Sequence, residues 1–364
     1  MMHKNIKKLY KILIGLLVLT LAFTACAPAA APVEEEAVVE EAVVEEAVEE
    51  EVVEEVVSNV PVTEHYKFAW IMPDMFNPFW VYMRQGAEKG ARELREAGIQ
   101  VDIQQMAPIQ TFNVEEQVAI FENAIQMKVD GIGICVIDQT TVIEQVNSAV
   151  EAGIPVASLS TDIPNSDRTI YSGFDNTKQA EDVGKYVVDH NDGSGNYIIL
   201  SGIPGNLISE QRDTGYTAAI DAYPDAKLLD LQPAYFNRAD GLSTMENMMQ
   251  KYGPGEIQGV LCVNDEVALG ALEAIYAAGR ESEIVVGSID GNWDAANSIK
   301  EGRMLVTSSS YPWLMGYEAV LSLEEWIRTG ATDENPEVLP QLIDADKADD
   351  FLATFAEFDV YYKP

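Results

Sequence analysis

The sequence predicts an α/β protein built of two doubly wound, parallel-sheet lobes. Its 364 residues suit about two domains. From Tyr66 onward, apolar strand-like runs alternate with helical runs, as in parallel sheets covered by helices on both faces. One unit also recurs. Gly131-Ile132-Gly133-Ile134-Cys135-Val136-Ile137-Asp138 leads through a helix and Ala152-Gly153 to a strand and Asp162. Gly259-Val260-Leu261-Cys262-Val263-Asn264-Asp265 leads through a helix and Ala278-Gly279 to a strand and Asp290. Two units on one plan indicate two lobes of similar construction.

In chain order, the first segment reads as an address. Lys4, Lys7, Lys8 and Lys11 precede the twelve-residue apolar run Ile12–Phe23. A membrane-spanning helix needs roughly 20 such residues, so the run reads as a secretory signal. It ends Phe23-Thr24-Ala25-Cys26, which resembles the lipobox of bacterial lipoproteins. The resemblance implies a signal over 1–25 and lipidation of Cys26; an ordinary cut near Ala25 or Ala31 is the alternative. Val33–Val57 follows with twelve Glu and no basic residue. Like charges four apart repel, so this stretch reads as a solvated tether, and 26–63 as the anchor segment.

Strands are expected at Tyr66–Met72, Ile99–Gln105, Gly131–Ile137 and Ile154–Leu159, then at Tyr197–Leu200, Lys227–Leu231, Gly259–Val263, Ile284–Ile289 and Leu305–Ser308. Helices are expected at Pro78–Ala97, at Val114–Met127 behind an Asn113/Glu116 capping box, and near Val142–Glu151. Asp265 stands where a helix opens and reads as its cap. Cys135 and Cys262 lie within apolar strands and read as buried free thiols, with no disulfide framework.

Charge and composition exclude several functions. A net charge of −37 argues against nucleic acid and anionic membrane surfaces as partners. Only His3, His65 and His190 are present, which removes most Ser-His-Asp, Cys-His and multi-His metal chemistry. There is no phosphate loop and no G-x-S-x-G elbow. The calcium-like Asp189–Gly193 run has Leu200 where a bidentate Glu is required. No cofactor, metal or catalytic residue is implied, and the chain does not read as an enzyme.

Ligands of open α/β sheets bind beyond the carboxyl ends of the strands. Those ends carry Asn77, Phe79 and Trp80; Ser160, Thr161 and Asp162; Arg212; Phe236 and Asn237; Asn264; Asp290; and Ser310. Aromatic faces suit C–H surfaces, while amides, a guanidinium and carboxylates hold hydroxyls. Arg212 and Asp290 nearly cancel in charge, which favours a neutral, polyhydroxyl guest. The expected ligand set is Asn77, Phe79, Trp80, Ser160, Asp162, Arg212, Phe236, Asn264, Asp290 and Ser310.

Asn77-Pro78-Phe79-Trp80, Gln211-Arg212, Phe236-Asn237-Arg238, Asn264-Asp265-Glu266-x-Ala268-Leu269-Gly270-Ala271 and Val286-Gly287-x-x-Asp290-Gly291 resemble the ribose-type (type I) periplasmic sugar-binding proteins of ABC importers. The likeness runs from Tyr66 to about Leu342. It implies two Rossmann-like lobes closing on one sugar, joined by three hinge crossings near Gly173–Phe174, Ser310–Tyr311 and Leu339–Pro340. The lobes would be 64–173 plus 311–339, and 174–310 plus 340–364. It also implies a monomer, held outside the cytoplasm by its lipid, that delivers a neutral sugar or polyol to an ABC permease. Sensing for a membrane chemoreceptor or kinase is the alternative. Departures stand out: Ser160-Thr161 replaces the family's Asp-Arg, Ser310 replaces a glutamine, and one extra residue precedes Asp290. They argue against assuming ribose as the guest.

Overall fold

The computed structural model describes residues 62–358, apart from 333–335 and 337. The expected signal, Cys26, the acidic tether and the last six residues lie outside the described residues. The elements run β1 (Glu64–Ile71), α1 (Pro78–Glu96), β2 (Ile99–Met106), α2 (Val114–Gln126), β3 (Gly131–Ile134), α3 (Ile143–Glu151), β4 (Val156–Ser160) and β5 (Ile170–Gly173). Then come α4 (Asn176–His190), β6 (Ser194–Ser201), α5 (Leu207–Asp221), β7 (Asp225–Pro233), α6 (Arg238–Lys251), β8 (Gly259–Cys262), α7 (Asp265–Ala277), β9 (Val285–Asp290) and α8 (Trp293–Lys300). The chain continues through β10 (Val306–Ser309), α9 (Pro312–Thr329), β11 (Gln341–Ile343) and α10 (Ala348–Glu357).

The strands form two sheets, ordered β2-β1-β3-β4-β5 and β7-β6-β8-β9-β10-β11. All pairings are parallel except β10 with β11. Ignoring β11, both sheets have one order, with the switch points at β1/β3 and β6/β8. The repeated unit of the sequence is β3-α3-β4 in one lobe and β8-α7-β9 in the other, at the same place in each sheet. β3 and β8 are buried at every residue. Helices cover both faces of each sheet, so these strands run apolar rather than alternating. Each lobe accordingly has two apolar layers, one on either side of its sheet. Cys135 and Cys262 lie free in these layers.

The chain passes between sheets after β5, after β10 and after α9. On the second passage α9 returns to pack on α1. There a Cβ on Gly86 would lie 1.8 Å from Trp313 O, and one on Gly316 1.9 Å from Met83 O, so only glycine lets these helices approach. Behind the cleft, Tyr82 of α1, Trp313 of α9 and Phe351 and Phe355 of α10 form an aromatic core common to both lobes. The Tyr82 and Trp313 rings lie 5.2 and 4.7 Å from Phe355.

The structure adds or corrects several local features. β5, β11 and α10 were not among the expected elements; the two strands have only four and three residues, too few to show a period. Asn113 caps α2 by accepting from Glu116 N at 2.9 Å. The Glu116 carboxylate, however, accepts from Ile109 N (2.7 Å) and Gln110 N (3.3 Å), bracing the loop before the cap. Asn264, not Asp265, caps α7, accepting from Val267 N at 3.0 Å. Asp265 is fully buried instead, because the ends of β9 and β10 offer it donors.

Candidate ligand-binding site

The carboxyl ends of both sheets meet at one cavity. Its wall comprises Asn77, Phe79, Trp80, Phe112 and Ser160 from the first lobe, and Ile208, Arg212, Phe236, Asn264 and Asp290 from the second. The space they bound, mouth included, is about 380 Å³. The enclosed cavity within it is about 30 Å³, room for two or three waters. The lobes are therefore drawn close together, and a larger guest enters only when they part.

Each wall residue is placed by its own helix or strand end. Asn77 is both the α1 cap and a wall residue: its Oδ1 accepts from Phe79 N at 3.0 Å. Asp74 fixes the preceding turn by accepting from Phe76 N and Asn77 N, both at 2.8 Å. Pro78 at the first helical position then sets the rings of Phe79 and Trp80 edge to face, 4.7 Å apart. The buried Trp80 Nε1–H finds no acceptor among the described residues.

In the second lobe Arg212 is 4% exposed. Its Nε donates to Asn176 Oδ1 (3.1 Å) and its Nη1 to Val263 O (2.6 Å). These bonds hold the guanidinium flat, with Nη1 3.6 Å from Asp290 Oδ1. Burial pushes the Asp290 carboxyl well above its ordinary range, and Arg212 draws it back. Asn264 also positions a neighbour, since its Nδ2 donates to Phe236 O at 3.2 Å.

Two expected ligand residues are not on this wall. Asp162 is taken up by a turn and an ion pair: its Oδ1 accepts from Ile163 N (2.7 Å) and its Oδ2 lies 3.2 Å from Arg168 Nη2. Ser310 is fully buried where β10 gives way to the crossing into α9, one residue past Ser309, the register partner of Asp290. Conversely, the sequence reading omitted Phe112 and Ile208. Both were recoverable from the repeat. Asn206-Leu207-Ile208 opens α5 as Asn77-Pro78-Phe79 opens α1, and Phe112-Asn113 precedes α2 as Phe236-Asn237 precedes α6. Backbone strain marks the same place. Phe112, Ser160, Phe236 and Asp290 all have positive φ without being glycine, a conformation that concentrates at functional sites.

Two mirrored α/β lobes around a polar and aromatic cavity define a cleft-type binding protein. Residues 68–330 match the family described as the periplasmic binding protein domain, and the chain belongs to that family. It is 33% identical over 240 residues to the ribose import binding protein RbsB of Bacillus subtilis (strain 168), covering 66% of this chain and 74% of that one. Against the D-allose-binding periplasmic protein of Escherichia coli (strain K12) it is 27% identical over 254 residues, covering 68% and 79%. A solved ABC transporter periplasmic solute binding protein from Actinobacillus succinogenes 130z, with bound D-allose, superposes with a TM-score of 0.73. That pair is 27% identical, covering 78% of this chain and 99% of the other.

Proposed function

We propose that the protein is an extracytoplasmic receptor that captures a neutral sugar or polyol by lobe closure and delivers it, chemically unchanged, to an ABC importer. The observation that carries this reading is the cavity itself: aromatic faces from one lobe oppose the buried Arg212–Asp290 pair of the other. Opposed charges held side by side suit the hydroxyls of a neutral guest, and a charged guest would unbalance them. The ribose import and D-allose-binding relatives support import over sensing. Arg212 and Asp290 hold hydroxyls in this reading, Phe79 and Trp80 cover C–H faces, and Ser160 leaves the fourth strand end with a short side chain. That last feature favours a sugar other than ribose.

Cys26, in this reading, carries the lipid, and the acidic stretch lets a monomer reach its permease. A flexible chain of about 36 residues spans roughly 30–36 Å r.m.s.. Titration calorimetry of ligand-stripped protein against D-ribose, D-allose, xylitol, myo-inositol and related sugars tests the receptor reading. At least one is expected to bind with a Kd of about 1 μM or tighter; no heat from any sugar or polyol defeats it. Cys26→Ser is expected to move the protein from the membrane fraction to the soluble fraction, and unchanged partitioning rejects the anchor.

A further inference from the structure

We propose that Phe112 and Phe236 form an aromatic latch that holds the lobes shut independently of the guest; this deepens the receptor reading by assigning a closing device to the same cleft. The two rings, one from each lobe, stack with centroids 5.5 Å apart and planes 18° from parallel. A sugar ring between them would need about 7 Å, two van der Waals layers of roughly 3.5–4 Å. At this spacing the rings stack directly on each other.

Each half is braced by its own lobe and spent on the other. Phe112 N donates to Pro73 O at 3.3 Å, and Asn113 N to Gln110 O at 3.0 Å. The Glu116 carboxylate ties down Ile109 and Gln110 in the same loop. Yet the Phe112 side chain packs with the apolar layer of the second lobe. Phe236 is held from its own side by the Asn264 amide. Both phenylalanines have a left-handed backbone, φ 60° and 61°, just before the asparagine caps of α2 and α6. Asymmetric residues adopt that conformation at a cost. Paying it twice, at corresponding places, aims two rings at one another. Asn206 Nδ2, donating to Ile137 O at 3.4 Å, joins the lobes beside them.

Closure without a guest should then be measurable. Spin labels at Asn123→Cys and Asn247→Cys, exposed positions on α2 and α6, report lobe separation by pulsed electron resonance in the full chain carrying Cys26→Ser. With no sugar present, a short-distance population is expected beside a long one. Phe112→Ala should lower the short-to-long ratio about tenfold, and Phe236→Leu should lower it by less. Absence of a short population, or the parent's ratio kept in both variants with folding retained by circular dichroism, overturns the latch. Because no sugar is used, this outcome is separate from whether any sugar binds.

Discussion

Arg212→Ala is expected to weaken sugar binding at least 100-fold. Among the described residues the guanidinium is the only cation on the cavity wall, and two of its five donors are already committed to Asn176 and Val263. A hydrogen bond to a charged group contributes about 1.5–3 kcal/mol, and a bidentate grip on two hydroxyls doubles that. Truncation also leaves Asp290 buried without its partner, which costs about 3–5 kcal/mol. Part of the lost affinity would then reflect a damaged lobe. Arg212→Lys separates the two effects, because it keeps the charge beside Asp290 and loses the planar fork. It should melt within a few degrees of the parent and still bind at least about tenfold more weakly. Calorimetry and thermal unfolding, run on both variants, check this; parent-like affinity in either one removes Arg212 from the binding role.

Asp265→Ala is expected to cost about 4 kcal/mol of stability. The Asp265 carboxylate accepts from Asn292 N (2.6 Å), Thr307 Oγ1 (2.7 Å) and Ser288 Oγ. It thus ties the start of α8 to β9 and β10, and each orphaned donor costs about 1–3 kcal/mol. Burial pushes this carboxyl up to about 6, opposed by those same hydrogen bonds. The unfolded chain has the ordinary value near 4, so the folded state holds the proton more tightly. Its contribution is complete below about pH 4 and is lost as pH rises through about 6. Asp290 shifts in the same direction and adds to the trend. Asp265→Asn removes the titration of the Asp265 carboxyl. The parent should therefore lose stability relative to that variant between pH 4 and pH 7, by up to about 3 kcal/mol. Parallel curves of melting temperature against pH would refute the assignment.

Much of the fold was legible because it is written in short-range patterns. β3 and β8 are continuous apolar runs closed by polar turns, and Pro78 and Asn113 punctuate helices by local rules. Strand ends gather ligands in this class of sheet, so Asn77, Arg212, Asn264 and Asp290 could be named before their meeting place was known. Polar side chains with competing partners were less legible. Asp162 lies two residues past the end of β4, where Arg168 pairs with it, whereas Asp290 ends β9 itself and lies beside Arg212. Only the first arginine folds back onto its own turn.

The amino-acid order by itself determined the alternation of strand and helix, the doubling of the lobe and the chemical character of the strand ends, because each depends on residues within about one turn or one strand of each other. The tertiary structure alone decided that Phe112 faces Phe236, that Asp265 turns inward while Asn264 takes the cap, and that Asp162 and Ser310 are not among the residues that line the cavity. Those outcomes are settled by which donors and rings arrive from distant segments once the two sheets have packed, and no local period encodes them.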